Sequence, residues 1–548
     1  VVDADWPEYA ARPYFCGALG EIAPDKLSLL RESGPSVELV VSEPHVALYG
    51  SRALTPYAPG AYTFGFTAPP AGDAPWLTIA ETYETPGLVA GRDSATLHAG
   101  GFGLVDVFYV TLGGAVYFAN LIEPLLALLP RPLRINWDAW AAILRLTYPL
   151  GTDTPYQDVR RLPGSAALVW SGGRLRMDAR MPRWVRAEPY ARGATAGDVI
   201  AALHEAFKPY DDVPLLVPVS GGYDSRLLAS IAVARGASVE SWTTSPDDGL
   251  DTDVEYAQAI TRELGIRHRV IEQDPAAYPA EALRVARRLE YVTSHHAWYA
   301  RFAAEVHGSN RSVVDGLAGG PLLKNFLISS TTVAATTAAD RRRGMLEALS
   351  LGPAHLPVLS PAADSWTSSS VEAAFTAATS MLHGHRAELP LSVLHTRTAR
   401  GIARSPVNLV GPERAPVFPF LDPGFFDLAL SVPVAQKDGG RFYRELLRAA
   451  NPRVASLPST NAAMPNRRVP LRSAGPAARA WSHRMASRAA AVPGLLSLEM
   501  REALTSGPDA LTAFASWNSR FWLRGLAVFG AWLTDYENDL EDPVVPWS

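Results

Sequence analysis

The segment PVSGGYDSRLLA (218–229) constrains this chain more than any other. It lies directly after a short apolar run, LLVPV (215–219), and directly before an apolar helical stretch, Arg226–Arg235, that Gly236 ends. Strand, glycine-rich turn and helix in that order begin a β–α–β unit. Two consecutive glycines, Gly221 and Gly222, let the backbone approach a ligand that any Cβ would exclude. The N–H groups that follow open a helix, and a helix N-terminus favours an anion. Ser220 and Ser225 add hydroxyl donors for phosphate oxygens. Asp224 is then out of place, because a carboxylate repels phosphate. It fits if it holds a Mg2+ that bridges to them, since hard cations take carboxylate and phosphate oxygens together. A tight strand–helix turn with Asp224 as a cap is the plain structural alternative. The other common phosphate loop, GxxxxGK[ST], is absent: the lysines are Lys26, Lys208, Lys324 and Lys437, and none follows a glycine.

Downstream, strands and helices alternate. SVESWTT (238–244) reads as a second strand, and Asp251–Leu264 as a helix with acids in its first turn and Gly265 just past its end. Arg269–Ile271 makes a third strand and, after the helical 279–307, Ser312–Val314 a fourth. Units of this length predict an open parallel sheet with helices on both faces, whose ligands bind at the carboxyl ends of the strands. Residues 1–190 read differently. Val37–Val41, Trp76–Thr82, Val105–Thr111 and Ala115–Ala119 alternate like short strands between Gly-, Pro- and Asp-rich turns. One helix interrupts them, Trp137–Leu146, with Asn136 as its N-cap. The polar stretch Pro182–Thr195 reads as a linker. The expectation is an α/β chain of two domains, 1–190 and 196–548. The segment 329–370, which carries the basic Arg341–Arg343, is either a helical excursion or a mobile flap. The tail 472–540 reads helical, with Trp517, Phe521 and Leu526 spaced for one face; Trp517, Phe521 and Trp522 read as core rather than a peptide groove.

Composition narrows the function. A chain of 548 residues, 48% hydrophobic, has enough apolar content for more than one core. A net charge of −5 gives no electrostatic footprint for nucleic acid. The single Cys16 forbids an intrachain disulfide, and no Cys/His cluster has zinc spacing. VVDADWPEYAARPYFCG lacks the basic and apolar regions of a signal peptide. No uncharged apolar run approaches the ~20 residues that span a bilayer. The expected setting is soluble and cytoplasmic, with neither nucleic acid nor membrane as a partner.

SGGxDS after a strand resembles the pyrophosphate loop of the ATP pyrophosphatases, which cleave ATP between the α and β phosphates. More narrowly, the chain is similar to the asparagine-synthetase-like enzymes. The resemblance rests on FGLVDVFYV…AVYFANLIEPLL (102–126), DVRRLPGSAALVW (158–170), DTDVEYAQAITRELGIRHRVI (251–271), VVDGLAGG (313–320) and PVFPFLDPGFFDLALSVP (416–433). It implies an N-terminal β-rich, degenerate class II glutamine amidotransferase-like domain. It also implies a C-terminal open parallel-sheet ATP pyrophosphatase (synthetase) domain with a helical tail. Carried over to this sequence, it implies that Val219, Ser220, Gly221, Gly222, Tyr223, Asp224 and Ser225 bind ATP. Thr243 would end the strand that meets adenine, Asp315 and Gly316 would form the second nucleotide loop, and Asp224 and Asp315 would hold Mg2+.

Departures from that family shift the expected substrate. CGALG (16–20) resembles the family's catalytic Cys-Gly start but lies behind fifteen residues, and the RGPD and NGEIYN glutamine-pocket motifs are not present. Glutaminase activity is expected to be lost, with Cys16 a small buried residue in a β layer. The second loop has Gly319, Gly320 and Pro321 where the family has a metal-sharing acid, and Asp315 is its one carboxylate. The family's catalytic Lys follows an LP motif, but LPSTNAAMPNRR (457–468) has none; Arg467 or Arg468 would supply the charge, without being an equivalent of Lys. Leu317 stands where small-molecule cyclisers of the family carry a Tyr. In LEYVTSHHAWYARF (289–302), His295 with His296 is either a base for the incoming amine or a helix-start pair facing solvent or packed on Trp298. Glu290 is either substrate-binding or structural. The pattern resembles the lasso-peptide cyclases. It implies that Mg-ATP adenylates an Asp or Glu side chain of a leader-cleaved core peptide, which is then joined to that peptide's N-terminal amine. A leader peptidase and a leader-recognition protein are the implied partners. The alternatives are another amide ligase of the family acting on a small amino acid, as asparagine or β-lactam synthetases do, and a non-catalytic peptide- or nucleotide-binding scaffold.

Overall fold

The computed structural model describes residues 14–51, 56–58, 60–64, 84, 86–179, 181–186, 193–244, 251–294, 296–307, 309–350, 357–410, 416–461, 474–514 and 520–547. The expected strand 76–82, His295, Arg467, Arg468 and Trp517 lie outside them.

The N-terminal alternation of apolar and polar residues builds two antiparallel sheets of six strands. One runs in the order Arg160–Arg161, Phe108–Leu112, Ala115–Ala119, Phe15–Gly20, Val46–Gly50, Glu38–Glu43. The other runs Arg174–Ala179, Ala166–Ser171, Ser94–His98, Gly87–Ala90, Ala61–Thr63, Pro56–Ala58. Inward residues of both, such as Leu19, Leu48, Leu97 and Leu168, share one core. Cys16 pairs with Tyr49 and Ala119 in the middle of the first sheet. Burial pushes its thiol up to about 12, against small opposing effects of Tyr14 and Arg31. Such a thiol is inert.

The helix Trp137–Leu146 starts where expected, with the Asn136 side chain accepting from the Ala139 N–H at 3.3 Å. Its Trp140 packs against Phe529 and Trp532 of the tail helix Arg520–Asp535, so the tail closes back on the N-terminal half. In the described part of the expected linker, Trp184 stacks on Phe102 with ring centroids 3.9 Å apart and donates Nε1–H to His395 Nε2 at 3.1 Å. Asp106, at the edge of the first sheet, bonds Arg161 and also Arg404 from the C-terminal half. Burial alone would raise this carboxyl, but Arg404, Arg161 and Arg400 outweigh it and hold it at about 2.

The second half carries the parallel sheet. Its order is Arg267–Ile271, Val239–Thr244, Leu215–Leu216, Ser312–Val313, and every pairing is parallel. The chain moves outward over its first three strands and then returns to the other side of Leu215–Leu216. That reversal opens a crevice between the loops that follow Leu215–Leu216 and Ser312–Val313. The segment 329–370 is helical over Ser330–Ala334, Ala338–Leu349 and from Pro361 onward. Among the described residues no helix is long and apolar enough to cross a membrane.

Candidate functional site

The sheet order brings SGGYDS and DGLAGG together at that crevice. The turn 220–223 feeds the helix Asp224–Ala234, whose N-cap Tyr223 has no side-chain capping bond. Three backbone N–H groups of the turn are engaged by side chains: Ser220 by Ser225 Oγ at 3.0 Å, Gly221 by Asp253 Oδ1 at 3.0 Å, and Gly222 by Ser220 Oγ at 3.2 Å. The first N–H groups of the helix lack intrahelical partners by geometry. They join the hydroxyls of Ser220 and Ser225 as donors for an anion. Val219 and Thr243 close the bottom, with the Thr243 hydroxyl donating to the Val219 carbonyl.

The second loop packs against the first at Asp224. A Cβ on Gly319 would meet Asp224 Oδ1 at 2.6 Å, and one on Gly316 would meet Asp224 Cβ at 3.0 Å. These glycines are what lets the Asp224 carboxylate lie inside the second loop. Asp224 Oδ1 is buried and accepts no hydrogen bond among the described residues. Asp315, half-buried nearby, accepts the Leu317 N–H at 2.8 Å. Burial pushes it up to about 6; the Leu317 N–H opposes this, and the Asp224 charge adds to it.

These residues fit a magnesium ion. Asp224 offers an orphaned carboxylate oxygen and Asp315 a second hard oxygen donor beside it. No cluster of three or more His, Cys, Asp or Glu able to hold a metal occurs among the described residues. Two carboxylates completed by phosphate oxygens is the arrangement this ion takes in nucleotide sites.

Three side chains of the site, Lys324, Asp253 and Arg226, escaped the sequence reading, as did the packing of the LPSTN segment over the glycine turn. Lys324 ends the helix Gly319–Lys324 and places Nζ 3.0 Å from Asp224 Oδ2 and 2.8 Å from Asn461 Oδ1. Asp253 opens the helix Asp251–Leu264 and reaches the Gly221 N–H. The segment Leu457–Asn461 lies across the glycine turn: Ser459 Oγ and the Thr460 N–H both donate to the Gly221 carbonyl, at 2.8 and 3.1 Å. A Cβ on Gly221 would meet Thr460 Cγ2 at 2.7 Å, which is why glycine is required there. Arg226, with no exposed surface, donates to the carbonyls of Gly221, Val454, Leu457 and Pro458. For Lys324 the one sequence signal was its rarity; for Arg226 it was an arginine in a stretch otherwise read as an apolar helix.

Other expected residues lie in different surroundings. Glu290, at φ 53°, accepts the Ile122 N–H and lines a small cavity with Glu123, Tyr156, Arg287, Tyr291, Asp535 and Tyr536. His296 is buried with Nε2 3.1 Å from the Gly401 carbonyl. Burial, aided by Arg524, Arg397 and Arg404 and opposed by that carbonyl, pushes it down to about 3. Trp522 is buried and borders a cavity of about 890 Å3 with Arg145, Leu346 and Phe375. That cavity shares no lining residue with the crevice.

No curated protein matches the chain. Among solved structures, an NMN synthetase from Francisella tularensis aligns at 21% identity over 23% of this chain, with a TM-score of 0.17. The aligned part spans 56% of that protein's length. Residues 199–309, which contain the glycine turn, Asp224, Arg226 and Asp253, match the asparagine synthase family.

Proposed function

We propose that this chain is an ATP-dependent, AMP-forming carbon–nitrogen ligase whose substrate is a peptide that it closes into a macrolactam. The carrying observation is the SGGYDS turn at the sheet's reversal point, with the free oxygen of Asp224 set at the start of a helix. The match of residues 199–309 to the asparagine synthase family supports ATP use and amide formation. Peptide cyclisation is drawn from the departures in the sequence.

In this reading a carboxylate oxygen of an Asp or Glu side chain attacks the α-phosphorus of ATP, the α–β bridging bond breaks, and pyrophosphate leaves. The peptide's N-terminal amine then attacks the acyl carbon, AMP departs and the amine's extra proton passes to solvent. The helix N-terminus, Ser220 and Ser225 hold the phosphates, and Asp224 with Asp315 would hold a Mg2+ that would supply charge neutralisation there. Arg467 or Arg468 is proposed to supply the positive charge that the transferring group needs, as the sequence departures suggest. His295 is proposed as the base that takes the amine's proton on its way to solvent. Holding both ends of one peptide in contact supplies much of the rate. The proposed setting is the cytoplasm, with a leader peptidase and a leader-recognition protein as partners.

The test is release of AMP and pyrophosphate from Mg-ATP with linear peptides carrying a free N-terminus and an internal Asp or Glu, followed by mass analysis. AMP with loss of one water from a peptide establishes the reading. Turnover of free aspartate with ammonia replaces it with a small-substrate ligase. Bound ATP that never yields AMP with any acceptor leaves a scaffold.

A further inference from the structure

Lys324 is held from three directions. Its ammonium sits 3.0 Å from Asp224 Oδ2 and 2.8 Å from Asn461 Oδ1. The rings of Tyr223, Phe326 and Tyr443 lie 5.7 to 5.9 Å from Nζ, a box that stabilises a desolvated cation. Next along the chain, Asn325 turns to φ 51° and ties its Nδ2 to the Val434 carbonyl at 2.8 Å, which fixes where the lysine stem starts.

The lysine occupies one oxygen of the carboxylate that a metal would need. While the ammonium stands there, a bare divalent cation meets a neutralised Asp224 and is repelled by a charge about 3 Å from its ligand. When metal and phosphates arrive together, the ammonium is displaced from Asp224. It then has a new anion within reach of its flexible stem, while the aromatic box and Asn461 keep it at the crevice.

We propose that Lys324 is the pyrophosphate-binding cation of this site: it neutralises Asp224 in the empty protein and moves onto the leaving pyrophosphate when the metal–nucleotide complex binds. This rests on the ATP reading above and assigns the leaving-group charge to a lysine outside the LPSTN segment, held to that segment by Asn461. It also predicts an order of binding, in which the metal enters with the nucleotide and not before it.

The test measures two affinities that need no peptide and no turnover: Mn2+ alone, by electron paramagnetic resonance, and inorganic pyrophosphate without metal, by calorimetry. Lys324→Ala is expected to bind Mn2+ about 10-fold more tightly and pyrophosphate about 10- to 100-fold more weakly than wild type, the range for a charge-assisted hydrogen bond. Lys324→Arg is expected to recover part of the pyrophosphate affinity. Asn461→Ala, which leaves the lysine in place, is expected to show the same opposite changes at smaller size and covers the case in which Lys324→Ala does not fold. Equal affinities in wild type and Lys324→Ala, or both ligands weakened together, overturn the role of Lys324 while leaving ATP use intact. A wild type that binds neither ATP nor pyrophosphate overturns both.

Discussion

Arg226 and Pro458 are joined by a hydrogen bond of 2.6 Å from guanidinium Nη2 to carbonyl, across 232 residues of chain. With its bonds to Gly221, Val454 and Leu457, the side chain makes one body of the glycine turn and the segment that lies over it. Burial lowers this guanidinium only to about 10, so it stays charged at neutral pH. Arg226→Met keeps much of the volume but removes the donor to the carbonyls of Leu457 and Pro458, while Gly221 keeps Ser459 and Thr460 and Val454 keeps the Leu457 N–H. We expect a loss of about 3 kcal/mol or more in urea unfolding, since buried acceptors lose their partners at once. Nucleotide binding, followed by intrinsic tryptophan fluorescence, should weaken in the same variant under conditions where it remains folded.

Asp224 tests the chemistry more directly. Its carboxylate is partly exposed but pairs with Lys324 at 3.0 Å, so Asp224→Ala should leave the circular dichroism spectrum close to wild type while lowering the melting temperature. AMP formation should disappear with any acceptor, because the metal loses its central oxygen ligand. Wild-type AMP release by a folded Asp224→Ala would falsify the metal role.

How far the sequence carried follows from which forces are local. The turn 220–225, the caps at Asn136 and Gly236, and the helix Asp251–Leu264 depend on neighbours in the chain, and they were legible. The meeting of Asp224 with Gly319 was not, because it depends on strand order, and order is set by packing over the whole sheet. Lys324 was hidden for the same reason: it reaches Asp224 across 100 residues and Asn461 across 137. The close approach of Asp224 explains the absence of an acid at Gly319, where a side chain would collide with it. Glu290 shows the converse. From the sequence Glu290 is either substrate-binding or structural, and only the fold shows that its carboxylate ties a left-handed turn to the Ile122 N–H of the N-terminal half.

Asp106 predicts an acid limit to stability. Its carboxyl sits at about 2 in the fold against an ordinary value of 3.8, because Arg404 and Arg161 overcome the effect of burial. A depressed carboxyl contributes stability that is fully present above the unfolded value and is lost as pH falls through the folded one. The window is therefore about pH 4 to 2, and the contribution at neutral pH is about 2 to 3 kcal/mol. Asp106→Asn should remove this component from the acid unfolding curve. It should also cost about 3 to 5 kcal/mol at pH 7, since Arg161 and Arg404 would remain buried without a counter-charge.

Lys437 predicts a slope of the same sign at alkaline pH, from the opposite kind of group. The side chain is fully buried and its Nζ donates to the Ala429 carbonyl at 2.7 Å, near the end of the helix Pro423–Ser431. Burial, with Arg386 adding to it, lowers the amine from 10.5 to about 7. Between those values the unfolded chain binds the proton that the fold rejects, so stability rises as pH increases from about 7 to about 10. Lys437→Met gives up one hydrogen bond, worth about 1 kcal/mol, and removes a desolvation penalty of several kcal/mol. The variant should be more stable than wild type at pH 7, and the advantage should shrink toward pH 10. Urea midpoints at pH 7, 8.5 and 10 for the two proteins check this; parallel pH profiles would mean that Lys437 carries its charge in the fold.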